Sequence, residues 1–170
     1  MMKVWMLQRK LVSLILLNIL LAASLGGCAI RLVADYDATI AEEVIRVSKE
    51  VDIFYGKLLE TEYEERSYEK LKEKYIAIEA DIRALVVQNK ARPLNEESIS
   101  IAEATLEKWI KYKEKHKENW KKYSLPDGDR NKIEASNIYK DNQIKNHRKR
   151  FNRLFTAMSV AEGAKKLESE

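Results

Sequence analysis

The side chain with the most distinctive chemistry is a thiol, because the 170 residues include a single cysteine, Cys28. It directly follows Leu25, Gly26 and Gly27. A thiol can form a thioether, which no other side chain of this segment can do, and small neighbours leave the backbone accessible to a peptidase. With no second cysteine, an intrachain disulfide is excluded, although an exported compartment would permit one.

The residues before Cys28 have the order of a secretory signal. A basic head with Lys3, Arg9 and Lys10 and no acid precedes an almost wholly apolar run, Leu11–Leu21, and small residues follow up to the cysteine. The apolar run is shorter than the roughly 20 residues that cross a bilayer as a helix. A cleaved signal is therefore favoured over a permanent membrane span.

Leu25-Gly26-Gly27-Cys28 resembles the lipobox of bacterial lipoproteins, although Gly26 stands where Ala or Ser is commoner. In that class the chain is cut before the cysteine, whose sulfur carries a diacylglycerol and whose amine is acylated. The resemblance implies a signal peptide over 1–27 and a membrane anchor at Cys28. Several acyl chains at about 0.8 kcal/mol per buried methylene would make that attachment permanent. An ordinary free cysteine after a simple signal peptide is the alternative.

The residue after the cysteine bears on location. Ala29 stands there, where an Asp would act as a retention signal. In a Gram-negative cell of the enteric type, the resemblance then implies the outer membrane, with the protein facing the periplasm. A surface lipoprotein of a Gram-positive bacterium remains an alternative.

The net charge argues against a nucleic-acid partner. Residues 1–27 carry three basic residues, so their removal lowers the formal net charge from +4 to +1. The remaining charge is segregated: Cys28–Glu107 holds 11 Lys/Arg against 18 Asp/Glu, and Lys108–Glu170 holds 17 against 9. Such halves either complement one another within one bundle, which is favoured, or present two faces to different partners.

Two basic stretches are candidates for an anionic partner. The first, Lys108–Lys122, is interleaved with aromatic residues, and lysines paired with Glu114 and Glu118 on a solvated helix are the favoured interpretation. The second stretch, Lys145–Arg153, is denser in basic residues and contains no acidic residue. Its candidate residues for binding an anionic lipid or polymer of the envelope are Lys145, Arg148, Lys149 and Arg153.

The two histidines, His116 and His147, could form a metal site with Glu114 or Glu118 if their helices face each other. Their spacing does not require this, because neither His-x-x-x-His nor Glu-x-x-His occurs, so surface histidines are expected. The chain also has no nucleophile elbow, no glycine-rich phosphate loop and no recognisable carboxylate pair. We therefore expect no catalytic residue, no metal and no cofactor, and hence not an enzyme.

Apolar spacing predicts the helices that carry these residues. Spacings of three and four residues define one stripe over Ile40–Leu58, preceded by a capping box at Thr39 and Glu42. A second stripe covers Tyr68–Leu85. The heptad phase continues between the two stripes, so one long helix over Thr39–Asn89 is the alternative.

A turn near Glu62–Ser67 is favoured over the long helix, because the polar stretch there lacks two stripe contacts. Pro93 then ends the second helix, and Asn95 caps a third. After a turn at Leu125–Asp129, the fourth helix is predicted to start near Arg130 and to end at Gly163.

The sequence therefore predicts an all-α fold, a four-helix up-down bundle with coiled-coil-like packing, with a long helical hairpin as the alternative. The domains are a signal peptide over 1–27, a lipidated tether over 28–36 and a bundle over 37–167. We expect a lipid-anchored interaction or adaptor protein without catalysis, with an envelope protein as its partner. Self-association stays open, and a binding module for an anionic envelope lipid or polymer is the alternative function.

Overall fold

The computed structural model of the protein describes residues 33–123 and 138–169. The lipobox and the predicted turn at Leu125–Asp129 lie outside these residues. The described part consists of helices without a strand, and none of its helices is long and apolar enough to span a membrane. The elements are α1 (Ala38–Glu60), a 3₁₀ turn (Tyr63–Glu65), α2 (Tyr68–Lys90), α3 (Glu96–Tyr123) and α4 (Asp141–Ser169).

The four helices enclose one core. Helix α1 packs against α2 and α4, and α3 packs against the same two helices, so neighbours in sequence are neighbours in space. Polar contacts fix the directions: the start of α1 meets the end of α4 through Asp37 and Glu162, and its later part meets the start of α4 through Asp52 and Arg148. The predicted four-helix up-down bundle is confirmed.

The connection between α1 and α2 confirms the turn predicted near Glu62–Ser67 and excludes one long helix. Helix α1 ends at Glu60, and the Ser67 hydroxyl caps α2 by accepting from the amide of Lys70 at 3.2 Å. The buried Arg66 holds the turn in place. Its guanidinium donates to the carbonyl of Thr61 at 2.8 Å and to the carbonyl of Tyr139 at 3.0 Å.

The break between α2 and α3 is also as predicted. Helix α2 ends at Lys90, and the carbonyl of Asn95 accepts the first bond of α3 from the amide of Ile99 at 3.0 Å. Between them Leu94 adopts a left-handed backbone conformation with φ of 56°. This reversal directs the Leu94 carbonyl to the amide of Ala34, which donates to it at 2.9 Å. The segment before α1 is thereby attached to the α2–α3 turn.

Three predicted helix ends are wrong. The cap of α1 is Asp37 instead of Thr39, because the Asp37 carboxylate accepts from two free amides of the first turn, at 2.8 Å and 3.2 Å. Helix α4 starts at Asp141. Residues 138–140 before it are not helical, so the predicted continuous helix from near Arg130 is wrong. It also runs through Gly163 to its end at Ser169, because tertiary contacts hold its last turns.

Aromatic side chains fill the centre of the core. Trp109 is fully buried, and its indole donates to the carbonyl of Tyr75 at 3.1 Å. The rings of Phe54, Tyr75 and Phe151 lie 5.4 to 5.5 Å from the indole, in tilted or edge-on arrangements. Such arrangements are favourable for aromatic pairs. Each of the four helices contributes a ring, so this cluster joins them.

Candidate binding surface

Two adjoining grooves, open to solvent, follow the surface where α1 and α4 pack together. Their volumes are about 790 Å³ and 620 Å³. They share Asn152, Thr156 and Val160 of α4, so we treat them as one surface and name it the α1/α4 groove. Its other lining residues are Ile45, Ser48, Lys49, Asp52, Leu59, Lys145, Arg148, Lys149, Arg153, Phe155, Ala157 and Ser159.

The four basic residues singled out in the sequence all line the larger part of this groove. The α-helical rise brings Lys145, Lys149 and Arg153 into one row, with Arg148 beside it. Within residues 33–123 and 138–169, no carboxylate forms an ion pair with Lys149 or Arg153. Their positive charge is therefore directed to solvent along the groove.

Arg148 differs from the other three, because it is engaged within the bundle. Its Nε and Nη2 donate to the two carboxylate oxygens of Asp52, both at 2.6 Å, across the α1–α4 contact. These charge-assisted hydrogen bonds lower the pKa of Asp52 and raise that of Arg148. The guanidinium lies over Gly56, where an added Cβ would be in ordinary contact at 3.8 Å. Arg148 thus joins the two helices and neutralises the one carboxylate of the groove.

The groove also exposes apolar surface. Ile45 on α1 is 63% exposed and Val160 on α4 is 65% exposed, while Leu59 is half-buried and Phe155 forms part of the floor. Single exposed apolar residues are common on proteins, but here they line the same groove as the unpaired cations. The surface combines the two chemical features that bind an amphipathic anion.

The longer basic stretch on α3 is arranged differently. Lys113 pairs with Glu79 of α2 at 2.6 Å, and Lys117 lies 3.6 Å from Glu114. Lys115 lies 3.9 Å from Glu118 on the same helix. This agrees with the interpretation that the lysines of α3 pair with acids of their own and neighbouring helices, and it leaves the α1/α4 groove as the stronger candidate.

His116 is buried, so the expectation of a surface histidine is wrong here. Its Nε2 lies 2.9 Å from the carbonyl oxygen of Arg66, and its Nδ1 lies 3.1 Å from the hydroxyl of Tyr75. A carbonyl oxygen only accepts, so Nε2 carries the proton and Nδ1 accepts from the tyrosine. Burial lowers the pKa of His116 to about 4, although the bond to Arg66 acts in the opposite direction.

His147 is half-buried, and its ring stacks on Tyr112 with the centroids 3.5 Å apart. Burial, assisted by the nearby Arg150, lowers the pKa of His147 to about 4. Its Nδ1 lies 2.7 Å from the hydroxyl of Tyr139, whose ring is 4.7 Å from that of His116. Helices α3 and α4 therefore bring both histidines to one pocket of about 460 Å³, with Tyr139 between them.

The histidine pocket does not have the arrangement of a metal site. Glu114 and Glu118 also line it, but both ring nitrogens of His116 already have hydrogen-bond partners. Among the described residues, no group of three His, Cys, Asp or Glu side chains could hold a metal ion. His116 joins α3 to α2 and to the α1–α2 turn, and His147 joins α4 to α3 through its stacking on Tyr112.

Comparison of the chain with protein-family models, with curated proteins and with solved structures finds no match.

A buried polar cluster that the sequence analysis missed lies where the chain enters the bundle. The Glu162 carboxylate accepts from both terminal nitrogens of Arg92, at 2.8 Å and 3.0 Å, and from Lys165 at 2.8 Å. Lys165 also donates to Asn95 at 2.5 Å and to Ser98 at 2.8 Å. Burial by itself raises the pKa of Glu162, but these hydrogen bonds outweigh it, so its pKa is lowered.

This cluster attaches the start of the described chain to the bundle. The amide of Asp37 donates to Glu162 at 3.0 Å, and Arg92 donates to the carbonyl of Asp35. One feature of the sequence could have indicated this cluster. Glu162 and Lys165 form an i,i+3 pair of opposite charge within the last apolar stripe of α4, and charged residues are rarely fully buried unless they are paired. The cluster thus fixes Asp35 and Asp37, near the start of the described residues, to the α2–α3 turn and to the end of α4.

Proposed function

We propose that this chain is a lipid-anchored protein of the bacterial cell envelope, attached through Cys28 to the outer membrane and facing the periplasm. Its bundle acts as an adaptor that binds another envelope protein without catalysis. The lipobox resemblance of Leu25-Gly26-Gly27-Cys28 supports the anchor and the location. The surface for the partner is the α1/α4 groove.

The position of the buried cluster supports a short connection between anchor and bundle. Ala34, which stands six residues after Cys28 in the sequence, is hydrogen-bonded to Leu94, and Asp37 to Glu162. At no more than about 3.5 Å per residue, that tether spans roughly 20 Å. An acylated Cys28 would hold this end of the bundle close to the membrane surface and restrict the partners it can reach.

One observation carries the adaptor role: exposed apolar side chains and unpaired cations occur together in the α1/α4 groove. Ile45 and Val160 provide the apolar contact, and Lys149 and Arg153 the charge. Protein interfaces combine an apolar core with a polar rim in this way. The paired lysines of α3 offer no comparable surface.

The adaptor role can be tested by site-specific photo-crosslinking in intact envelopes. A benzoylphenylalanine replaces Thr156, which is exposed in the groove, and in a control it replaces Glu73, which is exposed on α2. We expect one envelope protein, identified by mass spectrometry, to be linked through Thr156 and not through Glu73. Equal products from the two positions, or none from Thr156, would contradict the role.

The anchor is tested separately by intact mass. Protein extracted from membranes should begin at Cys28 and carry the mass of acyl additions, and the Cys28→Ala variant should lose both the additions and the membrane fraction. A Cys28→Ala variant with the same mass shift in the same fraction would exclude lipidation at this residue.

Binding of an anionic envelope lipid or polymer is the second candidate function, favoured by the unpaired charges of Lys149 and Arg153. Retention by charge weakens as salt screens it, whereas an apolar contact survives. Retention on envelope polymers that is lost between 0.1 and 0.5 M salt, with no protein crosslinked through Thr156, would favour this candidate.

A further inference from the structure

We propose that the α1/α4 groove binds an acidic amphipathic helix of the protein partner, an inference that rests on the proposed function. The partner helix lies along the groove, with its apolar face on the seam between α1 and α4 and its carboxylates beside the basic row of α4.

Apart from the ion pair between Asp52 and Arg148, all charged residues that line the groove are basic. Asp52 is the single carboxylate among the lining residues, and Arg148 holds both of its oxygens. The remaining charged residues of the lining are all basic: Lys49, Lys145, Lys149 and Arg153. A basic helix in this groove would meet repulsion along its length, whereas acidic side chains would meet complementary charge.

The length of the groove suits a helix. From Lys145 to Val160 the lining follows α4 for fifteen residue steps, which at about 1.5 Å per residue is roughly 22 Å. Lys145, Lys149 and Arg153 recur every four residues along this distance. Acidic residues spaced by four on a partner helix of about four turns would therefore lie beside the row in register.

The lining favours side chains over an acyl chain. Its apolar residues, such as Leu59 and Val160, alternate with the polar groups of Asn152, Thr156 and Ser159, and the groove is open to solvent on one side. A lipid tail is best accommodated by an enclosed and continuous apolar cavity. An amphipathic helix instead places separate apolar anchors at i, i+3, i+4 and i+7 into such a groove and leaves its polar face in water.

The test uses the full-length acylated protein in nanodiscs of phosphatidylcholine and two fluorescein-labelled 18-residue helical peptides. Both peptides carry leucines at i, i+3, i+4 and i+7. One has glutamates beside the apolar face, and in the other every glutamate is replaced by lysine. By fluorescence anisotropy, we expect the acidic peptide to bind at least tenfold more tightly than the basic one.

Two double variants with the same charge change test the location. Lys149→Glu with Arg153→Glu reverses the basic row and should weaken the acidic peptide by about tenfold, because two attractions become repulsions. Lys72→Glu with Lys74→Glu makes the equivalent change at exposed positions of α2, away from the groove, and should stay within twofold. Circular dichroism checks that both variants keep the helical fold.

Each other outcome overturns the inference. Equal binding of the two peptides, or equal weakening by both double variants, excludes an acidic helix in this groove. Vesicles of phosphatidylglycerol that bind more tightly than the acidic peptide, and depend on Lys149 and Arg153, identify an anionic lipid as the occupant. Dimerisation measured by light scattering with the same dependence identifies a second copy of the chain. If Thr156 still links to an envelope protein in these cases, the adaptor role stands and only the acidic helix is excluded.

Discussion

Replacement of Glu162 by Gln should destabilise the bundle much more than the same change at an exposed position. Glu162 is 2% exposed, and its carboxylate pairs with Arg92 and Lys165, whose side chains are 13% and 8% exposed. The variant leaves two cations close together without their counter-charge. Removal of one partner from a buried ion pair costs about 3 to 5 kcal/mol. We place this case at about 3 kcal/mol, because Lys165 keeps its bonds to Asn95 and Ser98.

The assay is unfolding in urea and by heat, followed by circular dichroism at pH 7. At roughly 2 to 4 °C per kcal/mol for a domain of this size, the Glu162→Gln variant should melt about 6 to 12 °C below the native protein. The control is Glu73→Gln on the surface of α2, which should change the free energy of unfolding by about 0.5 kcal/mol or less. Equal melting temperatures for the two variants would refute the reasoning.

The acid dependence of the same residue gives an internal check. The pKa of Glu162 is lowered in the folded state, so its contribution to the free energy of unfolding is present above the unfolded pKa and is lost as the pH falls through the folded one. Below about pH 4 the native protein should therefore approach the stability of the Glu162→Gln variant. A difference between the two proteins that persists unchanged at pH 2 would show that the effect does not arise from this charge.

Three further predictions concern the core. Since burial lowers the pKa values of His116 and His147 to about 4 from an ordinary value near 6.5, the unfolded state binds more protons between these values. Urea titrations should therefore show a loss of about 3 kcal/mol from pH 6.5 to pH 5, to which the two histidines contribute about equally. A curve that stays flat there, or a His116→Gln variant with the same slope, would contradict this assignment. Trp109→Ala should cost about 4 kcal/mol in the same titrations, and less than 1 kcal/mol would argue against its central position. Spin labels at Lys49 and Lys74, on neighbouring antiparallel helices, should lie well below the roughly 40 Å that a continuous helix would give in electron resonance distance measurements.

The helices could be predicted because their apolar residues recur at the helical period and their breaks have local causes. Pro93 ends one helix through its own geometry, and the loss of the stripe near Glu65 indicates the turn whatever the rest of the chain does. Capping was less predictable. Asp37 and Thr39 are both good caps, and the choice depends on the amide of Asp37, which Glu162 holds from the far end of the chain.

The burial of the polar residues could not be predicted, because their partners are remote in sequence. His116 is held by the carbonyl of Arg66 and the hydroxyl of Tyr75, which are 50 and 41 residues away. Nothing in the local pattern around His116 distinguishes it from a solvated position on a cationic helix. The grouping of Lys145, Lys149 and Arg153 was predictable from their spacing alone, whereas the engagement of Arg148 by Asp52 depends on how α1 and α4 pack.

The charge segregation of the sequence explains why the groove keeps its positive charge. Pairs such as Asp52 with Arg148 and Glu79 with Lys113 do join the acidic half of the chain to the basic half. Lys149 and Arg153, however, form no ion pair with a carboxylate of the described residues. The proposed binding of an acidic partner would use this unpaired charge.

If Cys28 is acylated as proposed, the anchor would determine how strong the proposed interaction has to be. An acylated Cys28 would confine the chain and its partners to a thin layer at the same membrane, which raises their effective concentration above that in free solution. An affinity for the acidic helix that is too weak for binding in dilute solution would then still permit binding between anchored proteins. The same affinity would give little binding when the partner is free at nanomolar concentration. Removal of the anchor by Cys28→Ala should therefore abolish crosslinking through Thr156 while leaving peptide binding in the groove unchanged, a combination that a purely structural role for the lipid would not produce.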